Sequence, residues 1–328
     1  VIYKKQGQNP NEKKMAKPTI TPIVMNRDVA SDFLKEIQNS NVKPIEPVFL
    51  DFKKDLSQLK AKSGIPVLYK QNTSNDLFQL IYVFDMGNNN DKALGTAFDY
   101  IDYLGTSDMT PEQVKSEFYR LACNFRVSPG NERTYVVLSG LNENMPEAMK
   151  LFEKLMADAQ VNKEAYTNMV ADILKSRKDA KLNQMQNFRR LMNYGMYGPK
   201  SPATNILTET ELQTMDPQEL TDRIHNQNSY KHRIMYYGPT SEKELLAIIN
   251  KNHQAPKKLK EIPVGNEFPR LETPVTKVLI SPYEAKQIYM TQLSNRGEKF
   301  DPMIEPSRQM YNEYFGGGMN SIVFQEMR

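Results

Sequence analysis

The sequence predicts an α+β fold, in which strands and helices form layered sheet-and-helix domains. Runs with strand character, at residues 67–70 and 77–86, alternate along the chain with amphipathic helical patterns such as residues 110–121. The run at 77–86 is apolar at successive positions, which is typical of a central strand covered by other elements. Amphipathic helices that alternate with strand pairs can bury their apolar faces against one sheet. Such packing gives an α+β layered domain.

The composition excludes several classes of protein. Hydrophobic residues make up 39% and charged residues 25% of the 328 positions, as in a globular protein, so disorder is not the expectation. The net charge of +4 comes from 43 basic and 39 acidic residues dispersed along the chain, which predicts no nucleic-acid partner. The sequence has no run of about 18 apolar residues, so we expect no membrane span. The single cysteine, Cys123, leaves the redox compartment open.

The chain divides into four predicted regions, each marked by its composition. A connector rich in Lys, Asn and Pro precedes a complete α+β domain. A polar, proline-bearing linker follows, and the truncated start of a second, similar domain ends the chain. These regions are, in order, residues 1–55, 56–256, 257–274 and 275–328.

Within these regions the pattern predicts individual helices and strands. Thr110-Pro111-Glu112-Gln113 combines an N-cap, a proline at the first helical position and a capping-box glutamine, and so predicts a helix start. Another helix opens at Asn90 or Asp91 and is closed by Gly105. Further predicted helices cover residues 28–37, 146–157, 161–192, 216–224, 241–250 and 305–315, and further strands cover 125–128, 134–139, 233–237, 275–280 and 287–293.

An internal repeat links the two predicted domains. Ile81-Tyr82 followed by Tyr100-Ile101-Asp102-Tyr103-Leu104-Gly105 is echoed by Ile288-Tyr289 followed by Tyr311-Asn312-Glu313-Tyr314-Phe315-Gly316. The copies are offset by roughly 210 residues, so two domains of about that length would begin alike. The sequence therefore predicts one complete copy and the start of a second.

The last 18 residues are the most distinctive stretch. An aromatic helix end runs into Gly316-Gly317-Gly318, after which Asn320 or Ser321 can cap a new helix. Consecutive glycines indicate either a positive φ or the close approach of another part of the backbone. The residue pattern by itself predicts a turn between two helices.

The same stretch, Phe-Gly-Gly-Gly-Met-Asn-Ser-x-x-Phe-Gln-Glu-Met-Arg at 315–328, closely resembles a segment of the pitrilysin/insulinase family of zinc metallopeptidases. In that family the arginine that ends the run lies in the C-terminal half and helps to bind the substrate backbone near the zinc. Arg328 matches this arginine, and the sequence stops before the tyrosine that accompanies it in the family. The resemblance thus implies substrate binding by Arg328. The absence of Met at position 1 and the end inside a predicted helix add the expectation of a fragment.

The family's zinc motif, His-x-x-Glu-His, is absent from the matching helix. When the family's Gly-Thr ending is laid on Gly105-Thr106, Thr96, Asp99 and Tyr100 take the positions of the two histidines and the glutamate. Two histidines on adjacent helical turns are needed to hold Zn²⁺. We therefore expect a degenerate metal motif, no cofactor and no catalytic residue in this chain, and a zinc site in an N-terminal half of the same polypeptide.

The three histidines are scattered, at positions 225, 232 and 253. They lack the spacing of a zinc-binding helix, so structural or solvated roles are predicted for them. Asp99 and Asp102 are spaced for one helical face, which is typical of a solvated stripe.

The resemblance implies the C-terminal, non-zinc half of a zinc metalloendopeptidase that closes with an N-terminal half around a peptide substrate. This half alone is expected to be inactive. One alternative is a non-catalytic binding or scaffold protein of the same fold, and another is an unrelated α+β binding module, which would require the repeat to be accidental. Substrate identity and compartment are left open, with an exported or periplasmic full-length protein as one expectation.

Overall fold

The structure is a computed structural model that describes residues 29–285 and 287–327. The chain divides into two compact units, one ending at Leu50 and the other beginning at Asp51. In the first unit, helix α1 (Asp32–Asn39) starts at the N-cap Ser31, whose hydroxyl accepts a hydrogen bond from Leu34 N at 3.2 Å. No residue of α1 is buried, so its apolar side chains face solvent within this unit.

A mixed sheet of six strands forms the centre of the second unit, in the order β1-β2-β6-β3-β5-β4. Neighbouring strands are antiparallel except β2 and β6, which are parallel. The strands are β1 (Ser57–Lys60), β2 (Pro66–Gln71), β3 (Leu77–Phe84), β4 (Cys123–Pro129), β5 (Thr134–Leu141) and β6 (Arg233–Gly238). The helices are α2 (Leu94–Tyr100), α3 (Pro111–Arg120), α4 (Met145–Asp158), α5 (Lys163–Ala180), α6 (Gln184–Tyr197), α7 (Glu209–Thr214), α8 (Gln218–Asn226), α9 (Glu242–Asn252), α10 (Glu305–Gly316) and α11 (Ile322–Met327). This architecture confirms the α+β prediction.

The hydrophobic core lies between one face of the sheet and the helices. Alternate residues of β3, including Leu80 and Tyr82, point into the core because successive side chains of a strand lie on opposite faces. Helix α4 buries the most side chains of any helix in the described residues. Its Phe152 contacts the rings of Tyr82 and Phe125, with centroids 6.3 and 5.2 Å away. The sheet and α4 are therefore joined by aromatic packing.

The predicted capping box at the start of α3 is confirmed. Thr110 Oγ1 accepts a hydrogen bond from Gln113 N at 3.3 Å, and Gln113 Oε1 accepts one from Thr110 N at 2.8 Å. Pro111 occupies the first helical position, where its missing N–H costs nothing. This helix could be located from its sequence alone because its start signals are local.

Two helices differ from their predicted bounds. Helix α2 begins at Leu94 instead of Asn90 or Asp91, because the Asp91 carboxylate accepts from Ala93 N at 3.0 Å and holds a turn before the helix. The long helical region predicted at 161–192 is two helices. The break before α6 is held by Asn183, whose side chain accepts from Gln186 N at 3.0 Å and caps the new helix.

The strands predicted at 275–280 and 287–293 are not present. The structure describes both stretches as chain without ladder pairing, and Ile280 and Ile288 are 80% and 93% exposed. The stretch instead runs beside α6, where Gln184 Nε2 donates to Gln287 O at 2.7 Å. The physical reason is that two strands without further partners and a covering layer are marginal in water. We call residues 56–262 the sheet body and residues 270–327 the C-terminal segment.

The triple glycine connects α10 to α11, as the sequence predicted. Gly318 has a φ of +76°, which disfavours any residue with a Cβ atom. A Cβ on Gly317 would lie 2.7 Å from the Cα of Glu313, so the backbone passes too closely for a side chain. Both reasons for glycine therefore apply in this one turn. Among the residues that the structure describes, no helix is long and apolar enough to cross a membrane.

Candidate functional site

The candidate site is built around α2, the helix that carries Thr96, Asp99 and Tyr100. This helix packs against α8 and lies beside β4. It continues into a short 3₁₀ turn, Ile101–Tyr103, and then reaches Gly105. A Cβ on Gly105 would lie 2.2 Å from Met109 O, so this position requires glycine because the backbone folds back on itself.

The side chain of Tyr100 is committed to the fold. It is buried, and its hydroxyl donates to Asn162 O at 2.6 Å and accepts from Asn162 N at 2.9 Å. Burial raises the pKa of Tyr100, and the hydrogen bond to the Asn162 backbone partly offsets this rise. Since Asn162 is the N-cap of α5, Tyr100 fastens α2 to the start of α5. The hydroxyl therefore has both of its hydrogen bonds satisfied by protein.

An open cleft of about 450 Å³ lies between the end of α2 and α5. Asp99, at the mouth of this cleft, has its pKa raised by burial and then by the charge of Asp102. Both aspartates are nevertheless exposed, as the predicted solvated stripe requires. The cleft is lined by Asp99, Asp102, Tyr103, Met169, Asp172, Ile173, Ser176 and Arg177.

The chemistry of this cleft is that of hydrogen bonding. Carboxylates, a serine and a guanidinium can pair with the N–H and C=O groups of a peptide. On α2, Thr96 carries a hydroxyl group, whereas the Tyr100 hydroxyl is already bound by Asn162. Within residues 29–285 and 287–327, no group of three or more His, Cys, Asp or Glu side chains is arranged to hold a metal ion.

Strand β4, next to α2, is an edge of the sheet. In the described residues its ladder partner is β5 alone. Leu141 N donates to Ala122 O at 3.3 Å, which makes these two residues a hydrogen-bonded pair of the antiparallel ladder. Because such pairs alternate, Cys123, Phe125 and Val127 turn their backbone groups away from β5. The edge thus offers backbone hydrogen-bonding groups on a strand that lies beside α2.

The histidines do not lie on α2. His225 lies on α8, where its Nε2 is 3.1 Å from Ala159 O. His232 and His253 contact each other, with their Nε2 atoms 2.9 Å apart. Sequence reasoning missed this pair because the two residues are 21 positions apart. The signal that could have found it is the short β6–α9 connection, which returns the end of α9 to the beginning of β6.

Arg328, the predicted substrate-binding residue, lies outside the described residues. The fold therefore brings Thr96, Asp99 and Tyr100 together on α2, and the role of Arg328 stays a prediction.

Comparison with known proteins finds similarity in structure and not in sequence. No family model matches the chain, and no curated protein matches it. The periplasmic protease PqqL from Escherichia coli has a similar structure, with a TM-score of 0.58 and 14% identity over 79% of this chain and 28% of that one. A peptidase M16 inactive domain from Pseudomonas fluorescens gives a TM-score of 0.60 and 15% identity over 84% and 68%. A protease from Helicobacter pylori gives 0.59 and 11% over 83% and 68%.

These similarities concern the fold, since identities of 11–15% are too low to carry an activity across. The chain spans only 28% of the length of PqqL. The chain has the fold of the M16 peptidases, the pitrilysin/insulinase type of structure that its sequence predicts.

Proposed function

We propose that this chain is part of the C-terminal, non-zinc half of a zinc metalloendopeptidase, where it forms part of a closed peptide-binding chamber. The single observation that carries this proposal concerns the side chains that α2 carries and the contacts they make. Thr96, Asp99 and Tyr100 occupy the motif positions, and the Tyr100 hydroxyl is used to fasten α2 to α5. A helix with this composition supplies shape and hydrogen bonds, whereas activation of water requires a metal held elsewhere. In this proposal the zinc is bound by an N-terminal half.

The peptide would be held along β4. An extended peptide can add to an exposed sheet edge through backbone hydrogen bonds, and neighbouring pockets then select its side chains. The outward-facing backbone groups of Phe125 and Val127, with the cleft beside α2, support this placement. The acidic groups Asp99, Asp102 and Asp172 in the cleft would favour a peptide with a basic side chain at that point.

The C-terminal segment would begin a second, similar domain. Its α10, triple glycine and α11 match the predicted repeat in order, and its apolar residues are exposed for want of a sheet to join. Two strands that found partners in such a sheet would bury these residues. This part of the proposal also accounts for the similarity to structures longer than this chain.

The test compares this chain with the full-length product for zinc content and for hydrolysis of a panel of peptides. We expect zinc and hydrolysis in the full-length protein and neither in the chain alone. Stoichiometric zinc in the chain alone would refute the site assignment. A full-length protein without an upstream His-x-x-Glu-His and without hydrolysis would favour the scaffold alternative, to which the similarity with an inactive M16 domain also points.

The edge strand can be tested separately by peptide binding to the full-length protein. Val127→Pro removes one outward-facing N–H and should weaken binding, because proline cannot donate to an added strand. Val127→Ala is the matched control, since it shortens the same side chain and keeps the N–H. Equal binding by both variants would exclude β4 as the binding edge.

Arg328→Ala in the full-length protein should lower peptide turnover while zinc stays bound, because a guanidinium can hold a peptide carbonyl with two N–H donors. Arg308→Ala, on α10 and paired with Glu298 at 3.6 Å, is the control with the same change of charge. Unchanged kinetics in Arg328→Ala would remove Arg328 from the site.

A further inference from the structure

Three ionisable side chains form a continuous polar line through the apolar core. Glu153 on α4, His253 at the C-cap of α9 and His232 just before β6 contact each other in that order. The side chains of His253 and Glu153 are 2% and 1% exposed, and His232 is buried as well. We call these residues the Glu153–His253–His232 line. Buried polar groups are hydrogen-bonded, so the position of each hydrogen follows from which atom of a contact can donate and which can accept.

The hydrogen positions can be assigned first for His232. Its Nδ1 lies 2.7 Å from Tyr230 O, and a carbonyl oxygen can only accept, so Nδ1 of His232 carries a hydrogen. In a neutral imidazole the other nitrogen, Nε2, is then an acceptor. It faces Nε2 of His253 at 2.9 Å, so that nitrogen of His253 must donate. One end of His253 is thereby fixed as an N–H group.

The other end of His253 meets the carboxylate. His253 Nδ1 lies 2.6 Å from Glu153 Oε1. That carboxylate also accepts from Tyr82 Oη at 2.9 Å, from Asn228 Nδ2 at 2.9 Å and from Gln254 N at 3.1 Å. Three donors besides the histidine therefore hold the Glu153 carboxyl group in place. His253 thus joins the Glu153 carboxyl group through Nδ1 and His232 through Nε2–H.

The Tyr82 hydroxyl remains a donor in this arrangement. Burial and then the charge of Glu153 raise the pKa of Tyr82 well above its ordinary value. The groups around His232 are the rings of Tyr82 and Phe84 on β3, with centroids 6.3 and 4.7 Å away, and His253 from α9. Glu153 acts on His232 only through His253. No carboxylate among the described residues makes a hydrogen bond or ion pair with His232 itself, so a second proton there would lack a partner.

We propose that the Glu153–His253–His232 line is an acid-sensitive lock that fastens the end of α9 and the chain after it to α4 and β6. A proton added to His232 Nε2 would face the N–H of His253, so the contact that joins the two imidazoles would become a repulsion. Burial, with a contribution from His253, lowers the pKa of His232 to about 4, which agrees with this reading.

The lock lies where the chain leaves α9. Gln254 N donates to Glu153 Oε2, and the next fixed point is Lys260, whose N–H donates to Ser229 O at 2.8 Å. The residues between these two anchors, 255–259, lead toward the C-terminal segment. Opening of the lock would therefore free this stretch first, while the sheet remains folded.

The first experiment locates the protons directly. Nitrogen-15 NMR of the imidazoles in this chain at pH 7 should show His232 neutral with its hydrogen on Nδ1, and should show a hydrogen on Nε2 of His253. A hydrogen on Nε2 of His232, or none on Nε2 of His253, would overturn the proposal. This measurement uses the unmodified chain and does not depend on any variant.

The second experiment measures amide exchange of residues 253–259 at pH 7 and pH 5, corrected for intrinsic rates. If His232 has an ordinary histidine pKa in the open form and about 4 in the locked form, its proton uptake alone should increase opening roughly twentyfold between these pH values. His232→Gln places a non-titrating acceptor near Nε2 and should remove most of this increase. His225→Gln, outside the line, is the matched control and should keep it. Equal acid responses in the original chain and in His232→Gln would refute the lock.

Discussion

The sheet body and the C-terminal segment contain similar apolar runs, but those of the sheet body are buried and those of the C-terminal segment are exposed. In β3, alternate residues such as Phe78 and Leu80 are buried under helices. In the C-terminal segment, Ile280, Ile288 and Phe300 are exposed, and their stretch pairs with no strand in the described residues. The difference lies in the partners, because a strand is stable only when neighbours satisfy its backbone and helices cover its side chains.

An apolar pattern in the sequence favours a strand. Whether its side chains are buried depends on the neighbouring strands and covering helices that the fold provides. The sheet body closes because β6 supplies a partner to both β2 and β3. The C-terminal segment instead runs along α6, where the Phe188 and Tyr289 rings lie 5.6 Å apart. Substitutions of the same kind in the two regions should therefore have unequal effects.

The largest difference is expected for phenylalanine truncation. Phe152→Ala in the sheet body should lower the free energy of unfolding by about 3–5 kcal/mol, because it leaves a cavity against Tyr82 and Phe125. Phe300→Ala, at a side chain 72% exposed, should change it by less than about 0.5 kcal/mol. Urea unfolding measures both. Similar losses in the two variants would mean that the C-terminal segment also has a core.

Acid should act on the sheet body through His232. Its pKa of about 4 when folded lies below the ordinary value of 6.5, so the unfolded chain binds more protons between these values. The free energy of unfolding should therefore fall as pH drops from about 6.5 to 4, by about 3 kcal/mol in total from this group. The C-terminal segment has no histidine to contribute. Urea titrations at several pH values check this, and a His232→Gln chain with the same pH profile would contradict it.

A smaller effect is expected where a tyrosine hydroxyl is lost. Tyr100→Phe leaves the backbone groups of Asn162 without their partner and should cost about 1–3 kcal/mol. Tyr311→Phe, on the exposed side of α10, should be neutral. Thermal unfolding of the two variants makes the comparison. A neutral Tyr100→Phe would show that α2 does not depend on this contact and would weaken the site assignment.

The smallest effect concerns helix caps. Thr110→Ala should cost about 1 kcal/mol because it opens the capping box of α3. Ser321→Ala at the start of α11 should fray that helix without moving the main unfolding transition, since α11 lies outside the sheet body. Circular dichroism on heating reports the transition of each. A shift of that transition in Ser321→Ala would show that α11 unfolds cooperatively with the sheet body.

Local signals made most elements of the sheet body predictable from the sequence. The capping box of α3 and the alternation in β5 depend on residues a few positions apart. Strand β1 and helix α7 were missed because each is short, and the strands at 275–280 and 287–293 were wrong because these stretches pair with no strand among the described residues. Sheet order was also beyond local reasoning, since β6 inserts between β2 and β3.

For the candidate site, the resemblance placed Thr96, Asp99 and Tyr100 on one helix, and the structure has them on α2, while their role stays a prediction. The use of the Tyr100 hydroxyl could not be predicted, because Asn162 is 62 positions away in the chain. The same holds for Glu153 and His253, whose contact spans 100 positions. Long-range polar pairs of this kind leave no periodic trace in a single sequence.

The insertion of β6 also sets a condition on synthesis. Val67 pairs with Ile234, so the ribosome must deliver residue 238 before the centre of the sheet can close. Until then β2 and β3 of the nascent chain each present an open edge, and pairing across so long a loop is slow. We expect stalled nascent chains ending before β6 to be cleaved rapidly by protease and longer ones to resist. The last strand of this domain is therefore also the one that closes the open edges of β2 and β3.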